Sequence, residues 1–230
     1  MRLDRFINNK TKLGQKTVRK LLASQSVKAD DEVVTDGRHT INQFTKIELN
    51  DSLIQEQKAY YLMLHKPTGY VSATTDSQHE TVLDLIHETY KGLLHIGGRL
   101  DFNTTGLLLL TNDGLWSRKI TEPSEKKPKT YLVTTAEEIT VKYTDQFREG
   151  IYFARENMTT HPAQLEIVEA RRARLTIYEG RYHQVKRMFG HFNNKVISLH
   201  RESMGPICLD LELLPGGYRQ LTDHEIKSIN

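Results

Sequence analysis

Leu3, Phe6 and Ile7 stand at the i, i+3, i+4 spacing of one helical face, and Val18, Leu21 and Leu22 repeat it. With those residues turned inward, Lys16, Arg19 and Lys20 face solvent. Short β-like runs follow at 32–35 and 46–49, with Asp36-Gly37 between them as a turn signal. Two helices and a small β unit therefore close by about residue 53, and Gln55-Glu56-Gln57-Lys58 reads as a linker. Beyond it, 60–65 is an apolar strand ending in the turn Lys66-Pro67-Thr68-Gly69. Residues 81–87 suggest a short helix, and 93–96 a strand running into Gly97-Gly98. A wholly apolar strand at 107–110 ends in the turn signal Asn112-Asp113-Gly114; 130–134 is another strand, and 141–148 a helix stopped by Gly150. Residues 164–168 and 174–177 read as an antiparallel pair. Val185, Met188 and Phe189 mark a helix, 196–199 a strand, and Thr222-Asp223-His224-Glu225 a capping box opening a C-terminal helix. Strands and helices mix without strict βαβ alternation. This predicts an α+β fold with a mostly antiparallel sheet, as a small domain with linker over 1–58 and a larger domain over 59–230.

Composition narrows the class. With 37% hydrophobic and 27% charged residues in 230, the chain reads as globular rather than disordered. No eighteen-residue apolar window occurs, which predicts no membrane-spanning segment. The opening residues MRLDRFINNK show neither an apolar run nor a small-residue cleavage site, so no secretory leader is expected. Cys208, the single cysteine, cannot form an internal disulfide and fits a reducing cytoplasm. The net charge of +3 is unevenly placed: residues 1–28 hold eight Lys or Arg against Asp4, a net +7, and the remainder sums to −4. A basic end on a mildly acidic body suggests a polyanion-binding module, with Arg2, Arg5, Lys16, Arg19 and Lys20 as candidate phosphate contacts. A solvated charged helix pair is the plain alternative.

Three segments carry candidate chemistry. In Gly97-Gly98-Arg99-Leu100-Asp101-Phe102-Asn103-Thr104-Thr105-Gly106, an ionisable Asp sits in a loop between two buried strands, with glycines on both sides that permit sharp turns. On spacing alone a turn cap is the commoner role for an Asp placed like Asp101, because Asp in loops is common. In Tyr178-Glu179-Gly180-Arg181-Tyr182-His183-Gln184-Val185-Lys186-Arg187-Met188-Phe189, Lys186 falls off the apolar helix face; an ordinary amphipathic helix would look the same. On Lys129-Thr130-Tyr131-Leu132-Val133, Lys129, Tyr131 and Val133 share one face, as a packed aromatic also would. Ten histidines from His39 to His224 show no H-E-x-x-H spacing and no cysteine partners, so no metal site is expected. Cys208, in Pro206-Ile207-Cys208-Leu209, reads as packing, and Trp116 as core or an RNA-stacking ring.

Together these segments resemble the sequence motifs of pseudouridine synthases, and the whole chain is similar to the ribosomal small-subunit pseudouridine synthase A family. Lys66-Pro67-Thr68-Gly69-Tyr70 matches the first motif. Gly98-Arg99-Leu100-Asp101 with Thr104-Thr105-Gly106-Leu107 matches the second, whose Asp is the family's essential residue. Glu179 to Met188 matches the third. Residues 1 to about 53 resemble an S4 RNA-binding domain, though that pattern commonly has glycine near Gln25-Ser26 and Asn-Gly where this chain has Asp30-Asp31. Relatives acting on large-subunit RNA usually have Arg at Lys186, which favours the small-subunit branch.

The resemblance implies isomerisation of a uridine in 16S ribosomal RNA, without cofactor because the product is an isomer. Asp101 would act on C1′ as a nucleophile or on C2′ as a base, the choice staying open. Tyr131 would stack on the target base and assist loss of the C5 proton. Lys186 would ion-pair with Asp101 in a buried cleft. Arg99 would hold a phosphate or the flipped-out nucleotide. The implied setting is a bacterial cytoplasm, with ribosomal RNA in a small-subunit assembly particle as partner and the enzyme a monomer. Two alternatives are a synthase of large-subunit rRNA and a non-catalytic assembly factor that keeps the fold.

Overall fold

The structure, a computed structural model, describes residues 1–122, 124 and 127–229. The chain divides into two units, Met1–Ala59 and Tyr60–Asn230. In the first, α1 (Leu3–Thr11) and α2 (Gln15–Ala23) bury Leu3, Ile7, Val18 and Leu22 with Val27 and Ile47 of a four-stranded sheet. Its order is β2-β1-β3-β4, with β1 Val27–Ala29, β2 Glu32–Val33, β3 Ile47–Leu49 and β4 Ser52–Gln55, antiparallel throughout. Two expectations are corrected here. The runs at 32–35 and 46–49 do not pair; β1 lies between them. Gln55 closes β4 rather than opening a linker, its Nε2 donating to the carbonyls of Asn42 (3.0 Å) and Thr45 (2.8 Å). Hairpin turns fall at Asp30-Asp31 and Asn50-Asp51, all four residues with φ between 49° and 67°. Paired left-handed residues match the strand twist, and Asp and Asn tolerate that region better than most side chains.

The second unit contains β5 (Tyr61–Lys66), β6 (His95–Gly97), β7 (Thr105–Thr111), α3 (Gly114–Thr121), β8 (Lys129–Thr135) and α4 (Val141–Glu149). The short strands β9 (Tyr152–Phe153) and β10 (Met158–Thr159) follow, then β11 (Gln164–Glu169), β12 (Arg172–Ile177) and α5 (Gln184–Gly190). Last come β13 (Val196–Met204), β14 (Ile207–Cys208), β15 (Tyr218–Gln220) and α6 (Asp223–Lys227). The main sheet runs β11-β12-β8-β13-β7-β5-β15, with β14 on β13 and β6 on β7. Only the β13–β7 pair is parallel among the described strands, so the α+β, mostly antiparallel expectation holds.

β7 is central, and its apolar run follows from burial on both faces. Leu108 and Leu110 pack with Leu62 and Leu64 in the larger core; Leu107 and Leu109 pack with Met63, Trp116 and Ile120 in a second one. Each of these leucines is fully buried and contributes about 2 kcal/mol. Other readings change. Residues 81–87 form two successive turns, not a helix, because the Asp84 carboxylate accepts from Thr81 N (2.7 Å) and Oγ1 (2.9 Å) and fixes the first turn locally. The turn expected at Asn112-Asp113-Gly114 leads directly into α3, which Asp113 caps, accepting from Leu115 N and Trp116 N. Cys208 is exposed rather than packed. The capping box at Thr222 and Glu225 is present. Among the described residues no helix is long and apolar enough to cross a membrane.

Candidate active site

The loop carrying Asp101 leaves β6 and enters β7, and its shape is set where backbone meets backbone. At Gly106 φ is +107°, and a Cβ would lie 2.3 Å from the Arg201 carbonyl oxygen on β13, so only glycine allows the parallel pairing there. Two buried cations then tie the loop down. Arg201, 1% exposed, donates through Nη2 to the Gly98 carbonyl (2.7 Å), Nη1 to Arg99 (3.4 Å) and Nε to Leu107 (2.8 Å). Lys66, fully buried at the end of β5, donates to the carbonyls of Thr104 (2.9 Å), Phe102 (3.2 Å) and Pro67 (2.9 Å). The Ser72 hydroxyl bridges to Leu100 O (2.8 Å) and receives Leu100 N (3.1 Å). Burial pushes the Lys66 ammonium down to about 8, the Asp101 charge opposing and the Arg201 charge reinforcing the shift.

Asp101 meets the third motif at α5. Glu179, 4% exposed, fixes the approach to that helix, accepting from His161 N (2.9 Å), Gln184 Nε2 (2.9 Å) and Arg181 Nε (2.7 Å). His183 then adopts a left-handed φ of 49° immediately before α5. Val185, Met188 and Phe189 are buried, as their spacing predicts. Lys186, off that face, places Nζ 3.0 Å from Asp101 Oδ2; His183 Nε2 is 3.6 Å from the same oxygen. Oδ1 accepts no hydrogen bond among the described residues. The Lys186 and Asp101 side chains are 34% and 31% exposed, so the expected buried cleft is corrected to a solvent-screened pair at a cavity wall.

Asp101, Tyr131, Lys186 and Arg99 line one open cavity of about 620 Å³. Tyr131, on β8, is 7% exposed; Arg99 is exposed. Beside Tyr131, Lys129 is held below its ordinary value by burial and by the Arg201 charge. The remaining candidates lie in the first unit, all exposed. Arg2 is turned onto Asp4, with Nε at 3.1 Å and Nη2 at 2.5 Å. Arg5, Lys16, Arg19 and Lys20 form no ion pair among the described residues. Sequence reasoning missed Lys66, Arg201 and Glu179 as working parts. Lys66 and Glu179 stand inside quoted motifs; Arg201, between His200 and Glu202 in a β-rich run, had no signal of its own. Among the described residues no group of three or more His, Cys, Asp or Glu could hold a metal ion.

An open cavity lined by a solvent-reachable carboxylate beside an ammonium and by a buried tyrosine has room for a nucleoside-sized group. Comparison with known proteins points to one family. The family model described as RNA pseudouridylate synthase matches residues 60–191. A ribosomal small subunit pseudouridine synthase A from Pseudomonas aeruginosa is 54% identical over 230 residues, covering all of both chains. Its Escherichia coli K12 namesake is 42% identical, again over both full lengths. A solved structure described as a pseudouridylate synthase superposes with a TM-score of 0.73 at 42% identity, covering both chains completely.

Proposed function

The chain belongs to the RNA pseudouridylate synthase family, and on that premise we propose that it isomerises a uridine of small-subunit ribosomal RNA to pseudouridine with Asp101 as the reacting carboxylate. The observation that carries the assignment is the Asp101–Lys186 contact at the wall of the cavity, with Oδ1 left uncommitted. In the reaction the N1–C1′ bond breaks, the uracil turns, C5 bonds to C1′, C5 loses its proton and N1 gains one. A carboxylate that meets C1′ or C2′ serves the first step as nucleophile or as base. Lys186 on Oδ2 holds the group aimed, leaving Oδ1 as the oxygen that reacts. Tyr131 stacks on the base, and its hydroxyl assists loss of the C5 proton. The target uridine leaves its helix or loop to reach this depth, and Arg99 at the rim holds the adjoining phosphate. Met1–Ala59 is an S4-like RNA-binding module, its free cations Arg5, Lys16, Arg19 and Lys20 on exposed helix surface. The enzyme works as a cytoplasmic monomer on an assembling small-subunit particle.

Asp101→Asn tests the assignment, because it keeps shape and removes the charge. We expect RNA binding and thermal melting close to wild type, with no tritium released from C5-labelled uridine in the rRNA. A structural Asp would behave oppositely, losing about 1 kcal/mol of stability and keeping its activity. Substantial tritium release would end the catalytic reading. Mapping pseudouridine in both rRNAs, with and without the gene, separates small-subunit from large-subunit substrate.

A further inference from the structure

Two exposed aromatic pairs stand beside the Asp101–Lys186 contact, one on the approach to α5 and one formed by the Asp101 loop with the segment before Thr81. Tyr182 is 66% exposed, and its ring stacks on His183 with centroids 3.9 Å apart and planes 17° from parallel. Phe102, 38% exposed and next to Asp101 in the chain, lies against His79 with centroids 4.9 Å apart. Tyr182, His183 and Phe102 all line the cavity. These rings do not belong to the core: Phe147 and Phe189 of this unit are fully buried, whereas Tyr182 and Phe102 are not. Nor do hydrogen bonds explain them, since the His183 imidazole has none among the described residues. The left-handed backbone at His183 holds the stack at the cavity edge, a conformation that a non-glycine residue adopts at an energetic cost.

The sugar-phosphate backbone continues on both sides of any uridine turned into this cavity. Its neighbours must therefore cross the loops that border Asp101. Each neighbour has lost a stacking partner, and an exposed ring can replace it for any base. We propose that the Tyr182–His183 stack and the Phe102–His79 pair are stacking platforms for the nucleobases that flank the target uridine, so that the rim, not only the cavity, binds unpaired RNA. This rests on the family's RNA chemistry and extends it to residues outside the reacting group. The exposed Arg99, on the same loop as Phe102, supplies the matching phosphate partner.

The test uses the full chain and an rRNA fragment carrying the mapped target uridine, with the nucleotide on its 5′ or 3′ side made abasic in turn. Tyr182→Ala should weaken binding of the intact fragment by about 5- to 140-fold, the range for removing one base–aromatic stack. The loss should fall on KM rather than kcat, and Tyr182→Phe should restore it. On one of the two abasic fragments, wild type and Tyr182→Ala should bind alike, because the base that stacked is gone. Phe102→Ser should show the same coupling to an abasic neighbour. Wild-type affinity in both variants, or equal losses on intact and on both abasic fragments, would overturn the proposal. Should Tyr182→Ala melt below the assay temperature, Phe102→Ser against the same fragments decides. Failure of the functional reading is distinct, because wild type would then form no pseudouridine in the intact fragment.

Discussion

Lys66→Met tests whether the loop carrying Asp101 is held from beneath by a buried cation. The wild-type ammonium is fully buried and donates to three carbonyls, those of Pro67, Phe102 and Thr104. Burial holds it at about 8 against an ordinary 10.5, so keeping it charged at neutral pH costs about 3 kcal/mol, at roughly 1.36 kcal/mol per pH unit. Against this, each hydrogen bond from a charged donor contributes about 1.5–3 kcal/mol. Phe102 also accepts from Gly69 N and keeps that partner in the variant. Methionine fills the space and donates nothing to the Pro67 and Thr104 carbonyls, so the net loss at neutral pH should be about 2–5 kcal/mol, at roughly 1–3 kcal/mol for each buried acceptor left unsatisfied. The folded-state value is the lower one, so between about 8 and 10.5 the unfolded chain binds more protons, and the stability from this site rises with pH. That rise should reach about 1.4 kcal/mol by pH 9 and about 3 kcal/mol by pH 10.5. Urea unfolding of both proteins at pH 7.5, 9 and 10 measures it as the growing difference between wild type and variant. A difference that stays constant across this range would refute a buried, charged lysine. Turnover should also fall about 100-fold, since a reacting group displaced by roughly 1 Å loses that much; wild-type turnover in a folded variant would refute the anchoring.

Lys186→Met should leave urea stability within about 1 kcal/mol, because its pair with Asp101 is a third exposed, while single-turnover pseudouridine formation falls at least tenfold. Tyr131→Phe should bind rRNA as wild type does, since the ring can still stack, yet turn over more slowly; a wild-type rate would reduce Tyr131 to a stacking floor. Lys16→Ala with Arg19→Ala and Lys20→Ala should weaken RNA binding and flatten its salt dependence, the log–log slope falling by a little under one for each phosphate that is no longer neutralised. Filter binding from 50 to 200 mM salt measures it, and an unchanged slope would mean these residues do not touch phosphate.

Periodic burial was legible along the chain. The helices at Leu3–Thr11 and Gln15–Ala23, the strand at Lys129–Thr135 and the inward face of Gln184–Gly190 follow from spacing, because a side chain's direction is fixed by local backbone geometry. The same logic put Lys186 off its helix's apolar face, free to meet Asp101. Short-range competition was harder to read. Asp84 and Asp113 bind nearby backbone amides, and whether that makes a turn or caps a helix depends on what the next residues pack against. Strand pairing was legible for the antiparallel pair at 164–177 but not elsewhere: nothing local in Val27–Ala29 shows that it separates two other strands. The site divides along the same line. The sequence by itself determined where the residues proposed for the chemistry stand, since Asp101, Tyr131 and Lys186 fall in motifs whose neighbours set their local geometry. Only the tertiary structure decided what holds them in place. Lys66 and Arg201 come from strands far apart in the chain and meet the Asp101 loop through its backbone carbonyls, which every residue possesses and no sequence pattern displays.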